Sequence, residues 1–242
     1  MVLRSIGTDW ASIWPRDMDH PRIRNAKWLF FDLGETLVDE RPALFEWTKS
    51  CVTLLDGIGV SATAEDLDQA IRNAATDFDP KAMLTGVMAL SGGLLNAEII
   101  RRDTSMPTDL LVLFPDVEDL LATLSQRYSL GIVANQSPGT IKRCEDWGIA
   151  RYFEFILGSA DVGLAKPDPA IFQMALNQAG CTGGEAVMIG DRLDNDIRPA
   201  RKFGLSTIRV LQGYYTGQQP RDDIDVADIT IPGIAELASI FD

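Results

Sequence analysis

The sequence comprises 242 residues, of which 46% are hydrophobic and 24% are charged. This composition is typical of a globular protein, and the length allows a full core plus one smaller unit. Acidic residues outnumber basic ones by 35 to 22, which gives a formal net charge of -13. Because this charge repels polyphosphate backbones and anionic membranes, we expect neither nucleic acid nor a membrane as a partner.

Six short β-type runs alternate with helical patterns, which predicts a parallel α/β sheet. In chain order the predicted strands are Trp28–Asp32, Leu130–Ala134, Phe155–Gly158, Val187–Gly190, Thr207–Val210 and Asp228–Ile231. The fold class that follows is a Rossmann-like, doubly wound core.

The first strand is not followed promptly by a second one, because the intervening chain has helical patterns. The predicted helices here are Leu44–Leu55, Ala64–Thr76, Lys81–Leu90 and Leu94–Arg102. An all-helical insertion after the first strand looks like a cap over the edge of the sheet. We therefore predict an N-terminal extension over residues 1–26, a core formed by residues 27–40 and 114–242, and a helical cap over residues 41–113.

Three further helices are predicted between the later strands. One begins near Asp116, with acidic residues in its first turn. The next has Asp168 as N-cap, Pro169 at its first position and Gly180 as its stop. The last spans about Asn195 to Lys202.

Cysteine, histidine and hydropathy patterns exclude several classes of protein. The three cysteines form no CxxC pair, which favours reduced packing residues. With His20 as the one histidine, a His-rich metal site is excluded, as is an ordinary Ser-His-Asp triad unless the N-terminal extension reaches the active site. No apolar run approaches the ~20 residues that span a bilayer, and residues 1–26 lack a signal-peptide core. We expect a cytoplasmic protein, and a homodimer is compatible with the sequence.

Polar residues gather where the predicted strands end, and reactive groups of doubly wound sheets lie at these carboxyl ends. Asp32 ends the first strand, Asn135 follows the second, and Lys166 lies in a later loop. Three carboxylates and an amide fall within six residues after the fourth strand, in the segment DRLDND. These carboxylates repel one another without a cation, so the segment favours metal binding.

Four segments resemble the motifs of the haloacid-dehalogenase superfamily. FFDLGETLVD resembles the first motif, which usually reads DxDGT in the phosphatases of that superfamily, and LGIVANQS resembles the second. LAKPDPAIF and MIGDRLDNDI resemble the third and fourth. The resemblance covers about residues 27 to 232. It implies a phosphohydrolase with a helical cap of the C1 type that uses Mg²⁺ and acts on a small phosphorylated metabolite.

The resemblance also implies roles for individual residues. Asp32 would attack phosphorus and form an aspartyl phosphate, and Lys166 would favour both the ionised nucleophile and the transition state. The groups expected to bind the substrate phosphate belong to Leu33, Gly34, Asn135, Ser137 and Lys166. The groups expected to hold Mg²⁺ are the carboxylates of Asp32, Asp191 and Asp196 and the backbone carbonyl of Gly34.

The sequence departs from the usual motifs at two positions. Gly34 stands where the phosphatases carry a second carboxylate, which protonates the leaving group and later activates water. Ala134 stands where a hydroxyl residue usually binds phosphate, and Ser137 could substitute for it. Three explanations for Gly34 stay open: a substrate with a good leaving group, an acid supplied by Glu35 or by the cap, or a protein that binds phosphate without catalysis.

Two alternatives to a phosphatase follow from these departures. The haloacid dehalogenases of the superfamily also lack the second Asp, but they attack carbon and need no metal, so the acidic fourth motif is superfluous for them. A catalytically impaired phosphate-binding or scaffold protein is the second alternative. It is supported by Gly34 and Ala134 and opposed by the retained Asp32, Lys166 and Asp191.

Overall fold

A six-stranded parallel sheet forms the centre of the molecule. The computed structural model describes residues 20–241, apart from the side chain of Leu94. The strands of the sheet are β1 (Trp28–Phe31), β4 (Ser129–Ala134), β5 (Phe155–Gly158), β6 (Ala186–Gly190), β7 (Ser206–Val210) and β8 (Ile229–Ile231). Their order across the sheet is β5-β4-β1-β6-β7-β8. All six predicted strands are present, which confirms the predicted sheet. Most of the predicted N-terminal extension, residues 1–19, lies outside the described residues.

The central strand β1 is apolar on both faces because the sheet is covered on both sides. Leu29 and Phe31 belong to one buried cluster with Ile132 and Ile189. Phe30 points the other way, into a second cluster that includes Phe172 of a flanking helix. Strands buried on both faces are typical of parallel sheets, so the continuous run WLFF suits this position.

Helices flank the sheet and also form the insertion after its first strand. Their bounds are α1 (Pro21–Arg24), α2 (Arg41–Gly57), α3 (Ala64–Thr76), α4 (Ala82–Ser91), α5 (Leu94–Asp103), α6 (Val117–Leu124), α7 (Thr140–Asp146), α8 (Ser159–Val162), α9 (Pro169–Ala179), α10 (Arg198–Lys202) and α11 (Leu237–Phe241). Asp168 caps α9 as predicted, since its side chain accepts a hydrogen bond from Ala170 N, and Gly180 ends the helix in a left-handed conformation. The helix predicted from Asn195 instead begins as one π-helical turn, Leu193–Ile197, before α10.

The helical insertion, α2 to α5, has its own apolar cluster separate from the two clusters of the sheet. Trp47, Leu55, Leu67, Ile71 and Val87 are buried together there. Helix α3 is the best defined by sequence, because a capping box joins its N-cap residue to its third residue and its apolar residues recur on one face. The predicted helices of the insertion are therefore present, while the boundaries of the cap as a separate unit stay a prediction.

A two-stranded antiparallel ribbon joins the insertion to the sheet. Its strands are β2 (Val38–Asp39) and β3 (Val112–Leu113), and Asp39 pairs with Val112. The chain thus leaves β1, turns through residues 33–37, and enters the insertion beside the point where it later returns.

The loop that follows β7 contacts the insertion from the core side. Gln218 is fully buried, and its side-chain Nε2 donates to Ala75 O of α3. Its side-chain Oε1 accepts a hydrogen bond from Leu193 N of the core. Tyr214 in the same loop donates to Asp68 of α3 and stacks against Arg72. These contacts hold α3 against the segment that carries the fourth motif.

Hydropathy along the described helices bears on the membrane prediction. No single helix among residues 20–241 is long and apolar enough to cross a bilayer. Residues Ala82–Ser91 and Leu95–Asp103 reach that length and composition only when taken together, and a bend of 120° separates them.

Candidate active site

The carboxyl ends of β1 and β6 bring two carboxylates side by side. Asp32 directly follows β1 and continues the ladder, because its N–H donates to Ile189 O of β6 at 2.9 Å. Asp191 follows β6, and Asp196 lies within the π-helical turn after it. Carboxylate oxygens of all three aspartates lie within 4.8 Å of one another, and all three side chains are buried. We refer to Asp32, Asp191 and Asp196 as the carboxylate trio.

The close approach of Asp196 to the strand end depends on Gly190. A Cβ atom at position 190 would lie 2.5 Å from Cγ of Asp196, which no real contact permits. Asp196 Oδ2 also accepts from Arg192 N at 2.9 Å, so the turn holds its own carboxylate in place. Gly190 of the fourth motif therefore ends β6 and also leaves the space that the side chain of Asp196 occupies.

Lys166 places its ammonium group inside the carboxylate trio. Its Nζ donates to Asp32 Oδ1 at 2.8 Å and to Asp196 Oδ1 at 2.5 Å, and its side chain is 1% exposed. Asn135 positions the lysine loop with two hydrogen bonds of 2.7 Å. Its Nδ2 donates to Lys166 O, and its Oδ1 accepts from Lys166 N.

Burial and mutual repulsion govern the pKa values of this cluster. Burial, together with the charges of Asp196 and Asp32, raises the pKa of Asp191 well above its ordinary value. Burial raises the pKa of Asp196 to about 6, although Lys166 opposes the shift. Burial alone would lower the pKa of Lys166, but the attraction of Asp196 and Asp32 outweighs it and raises that pKa. The charged lysine thus limits the rise in the pKa of Asp196.

The donor set fits Mg²⁺. When ionised, the three buried carboxylates carry more negative charge than the single ammonium of Lys166 neutralises, and hard carboxylate oxygens are the ligands that Mg²⁺ prefers. The side chains that would hold the ion are those of Asp32, Asp191 and Asp196, with the carbonyl of Gly34 as the expected backbone ligand.

The turn after Asp32 contains a third departure from the DxDGT pattern. Glu35 stands at the position of the motif's glycine and has a φ angle of 52°, in the left-handed region that glycine adopts most readily. Its side chain is buried, and burial followed by the charge of Glu40 raises the pKa of Glu35 to about 7. One of its oxygens, Oε2, is buried without a hydrogen-bond partner among the described residues.

Glu40 lies over Gly34, and sequence reasoning missed this contact. A Cβ atom at position 34 would lie 2.3 Å from Oε1 of Glu40. Gln136, directly after Asn135 at the end of β4, donates from Nε2 to the same Oε1 at 3.3 Å. Burial and the negative charge of Asp32 raise the pKa of Glu40, although the hydrogen bond from Gln136 opposes the shift. The available signal was an acidic residue at the end of the first predicted core segment, residues 27–40, six positions after Gly34.

The remaining predicted site residues are distributed around this cluster. The side chain of Leu33 is fully buried, and its carbonyl accepts the N–H groups of Leu37 and Val38. Asn135 and Ser137 are exposed in the loop after β4. The structure thus brings together Asp32, Lys166, Asp191 and Asp196, with Asn135 engaged to the lysine loop. The phosphate-binding roles of Leu33, Gly34, Asn135 and Ser137 stay predictions.

Comparison with known proteins places the chain in a family. The family model described as haloacid dehalogenase-like hydrolase matches residues 29–210, which is most of the chain. The chain belongs to the haloacid dehalogenase-like hydrolase family. It is therefore an enzyme of the hydrolase class, as the four motifs indicated.

Curated relatives and solved structures agree with this placement. The chain is 33% identical to a glyceraldehyde 3-phosphate phosphatase of Methanopyrus kandleri over 177 residues, which are 72% of this chain and 70% of that protein. It resembles the magnesium-bound structure of the HAD-hydrolase YfnB of Bacillus subtilis, with a TM-score of 0.65, 22% identity, and coverage of 90% of this chain and 99% of that one. A 2-haloacid dehalogenase of Pseudomonas syringae also shares the fold, with a TM-score of 0.56, 24% identity, and coverage of 89% and 97%.

Proposed function

We propose that this hydrolase is a phosphatase that cleaves a small phosphorylated metabolite through an aspartyl phosphate on Asp32. The observation that carries the proposal is the contact of Lys166 Nζ with both Asp32 and Asp196 beside a third buried carboxylate, Asp191. This arrangement puts a nucleophile, a fixed positive charge and a set of hard oxygen ligands at one point. The name of the Methanopyrus kandleri relative, a phosphatase for a three-carbon phosphate, agrees with it.

The residues act on the phosphate by position and charge. Lys166 holds the carboxylate of Asp32 in place by a hydrogen bond and offers its ammonium to the phosphate oxygens. An oxygen of Asp32 then forms a bond to phosphorus while the bond from phosphorus to the leaving oxygen breaks. Mg²⁺, when bound, would neutralise the charge of the phosphate and of the carboxylate trio. Water afterwards attacks phosphorus, and the bonding electrons return to the carboxylate of Asp32.

A cavity between the helical insertion and the loop after β7 is the candidate space for the organic part of a substrate. It has a volume of about 660 Å³ and lies between α2, α3 and Tyr214. Arg41, which directly follows Glu40, and Gly213, which packs against Glu35, belong to its wall. The helical insertion would therefore contribute to the choice of substrate, as closing elements over active sites commonly do.

The test is a panel of sugar phosphates, nucleotides and acyl phosphates with purified protein and added Mg²⁺. We expect turnover of at least one member, its loss on chelation with EDTA, and a fall of more than ~10⁴-fold in kcat for Asp32→Asn, as expected for removal of a nucleophile. Asp222→Asn, which removes an exposed carboxylate elsewhere in the core, is the matched control and should retain activity. Undiminished activity in Asp32→Asn would exclude the mechanism.

The dehalogenase alternative is tested in the same samples. Gly34 favours it, since haloacid dehalogenases also lack the second carboxylate, whereas the buried carboxylate trio favours metal-dependent chemistry. Chloride release from 2-haloacids that persists in EDTA, together with no phosphate release, would favour the dehalogenase. Absence of both activities would favour a phosphate-binding protein.

A further inference from the structure

Because position 34 is glycine, the first motif does not identify the residue that acts as acid and base in the proposed phosphatase. The motif's second carboxylate is absent from position 34, yet the place that its side chain would fill is occupied. Oε1 of Glu40 lies 2.3 Å, and Cδ of Glu40 2.8 Å, from the point where a Cβ atom at position 34 would be. The carboxyl group of Glu40 thus occupies the space in which a side chain at position 34 would begin.

We propose that Glu40 is the catalytic acid and base of this enzyme, acting from the place left open by Gly34. The proposal rests on the phosphatase function proposed above. It assigns to the glutamate the two proton transfers that the second carboxylate of the DxDGT motif carries out elsewhere in the superfamily.

The backbone of Glu40 is fixed from both sides. The preceding residue, Asp39, pairs with Val112 in the β2–β3 ribbon. On the other side the carbonyl of Glu40 accepts from Leu44 N at 2.9 Å in the first turn of α2. The ribbon and the helix therefore fix the backbone from which the carboxyl group extends.

Two side chains hold the glutamate over Gly34. Gln136 Nε2 donates to its Oε1 at 3.3 Å from the loop after β4. Glu35 Oε1 accepts from the backbone N–H of Glu40 at 3.2 Å. The hydrogen bond from Gln136 ties the carboxyl group of Glu40 to the loop that begins with Asn135 after β4.

Glu35 is the other candidate for the catalytic acid. Its contacts favour a role in positioning Glu40. A Cβ atom at Gly213 would lie 2.4 Å from Cγ of Glu35, so the side chain packs against the loop after β7. Its Oε1 already accepts the N–H of Glu40. Glu35 therefore positions Glu40, whereas the carboxyl group of Glu40 occupies the space in which a side chain at position 34 would begin.

The proton transfers balance over the two half-reactions. In the first, the bond from phosphorus to the leaving oxygen breaks, its electron pair goes to that oxygen, and the protonated carboxyl of Glu40 gives its proton there. In the second, the resulting carboxylate takes a proton from water as the water oxygen bonds to phosphorus. The bond between phosphorus and Asp32 then breaks, and its electron pair returns to the Asp32 carboxylate. Glu40 ends protonated, as it began.

The test compares leaving groups in wild type and Glu40→Gln, whose amide oxygen can still accept from Gln136. In an aryl phosphate series, kcat/KM of the wild type should depend weakly on leaving-group pKa, because the acid protonates the leaving oxygen. Glu40→Gln should lose ~10²–10⁴-fold with phenyl phosphate and less than ~10-fold with 2,4-dinitrophenyl phosphate. Glu46→Gln, an exchange on the same helix in an exposed pair with Lys49, should match the wild type.

Burst kinetics with 2,4-dinitrophenyl phosphate provide a second readout. Glu40→Gln should release close to one equivalent of dinitrophenol per enzyme and then turn over slowly, because hydrolysis of the aspartyl phosphate has lost its base. The wild type should show a smaller burst relative to its steady state.

A positional exchange is the decisive variant. Gly34→Asp alone should be inactive, since its side chain meets Glu40, whereas Gly34→Asp combined with Glu40→Ala should recover the weak leaving-group dependence of the wild type. An unchanged dependence and no burst in Glu40→Gln would overturn the role of Glu40. The phosphatase function would survive that result if Asp32→Asn stayed inactive, whereas a wild type inert towards every phosphate would remove both.

Discussion

Two clusters of buried or half-buried charges in the core differ in how their charges balance. In the carboxylate trio, three buried aspartates share one lysine. In the second cluster, which we call the arginine–aspartate cluster, Arg198 and Arg221 face Asp222 and Asp225 in equal numbers.

The excess of negative charge in the carboxylate trio is typical of an ion-binding site, whereas the paired charges of the arginine–aspartate cluster are typical of a structural contact. Asp225 is fully buried, yet hydrogen bonds from Arg221 and Arg198 outweigh the effect of burial and lower its pKa to about 2. Among residues 20–241, no arginine donates a hydrogen bond to the carboxylate of Asp191, and burial together with the charges of Asp196 and Asp32 raises its pKa although Arg192 opposes the shift. Unbalanced buried charge is costly unless a cation completes it, so the imbalance itself indicates where an ion belongs.

The largest expected effect comes from removing the one positive charge of the trio. Lys166→Met should abolish turnover and lower the free energy of unfolding by ~3–5 kcal/mol without metal, because the carboxylates lose their partner. Saturating Mg²⁺ should narrow this gap, since the ion replaces the missing charge. Urea unfolding with and without Mg²⁺ measures both effects. Lys142→Met, at an exposed pair in α7, should change stability little, and equal losses in the two variants would contradict the account.

A smaller loss of stability, which depends on pH, is expected when Asp225 of the arginine–aspartate cluster is replaced. Asp225→Asn should lower the free energy of unfolding by ~1–2 kcal/mol at neutral pH, since hydrogen bonds to two arginines that are partly in water are lost. A lowered pKa in the folded state stabilises the protein above the ordinary value of 3.8, and this contribution is lost as pH falls towards about 2.

The difference between wild type and Asp225→Asn should therefore be constant above about pH 5 and shrink below pH 4. Urea titrations at several pH values measure it, with the exposed neighbour Asp223→Asn as the control. A difference independent of pH down to pH 2 would show that the carboxylate charge contributes nothing there.

The smallest effect should have the opposite sign. Asp191→Asn removes a carboxylate from the unbalanced trio and should raise the free energy of unfolding of the metal-free protein by ~0.5–2 kcal/mol, since like charges are relieved. The variant should lose Mg²⁺-dependent activity at the same time. Destabilisation in metal-free buffer, of the kind expected for Asp225→Asn, would show that the two clusters do not differ as proposed.

The sheet and most helices could be predicted from local pattern. The strands are continuous apolar runs, and α9 carries its start and stop in Asp168, Pro169 and Gly180. The convergence of Asp32 and Asp191 also follows from sequence, because parallel strands end at the same edge. The π-helical turn at Leu193–Ile197 did not follow, since it depends on how Asp196 packs against Gly190.

Residues placed by distant contacts could not be predicted. The carboxyl group of Glu40 lies over Gly34 because the chain turns back locally, where Gly34 bridges to Val38, and because Gln136 of a distant loop donates to it. Gln218 likewise joins α3 to the fourth motif across a long stretch of sequence. Each appears in the sequence as an ordinary polar residue near a predicted boundary, with no spacing that reveals its partner.

Calorimetric titration of metal-stripped protein with Mg²⁺ measures the completion of the carboxylate trio without any substrate. We expect Mg²⁺ to bind to the wild type and to Asp222→Asn, and its affinity to fall by at least ~10–100-fold in Asp191→Asn. A parallel thermal scan should show the wild type stabilised by about 2.7 kcal/mol at a Mg²⁺ concentration of 100 Kd. Equal Mg²⁺ binding by Asp191→Asn and wild type, or none by either, would contradict this expectation.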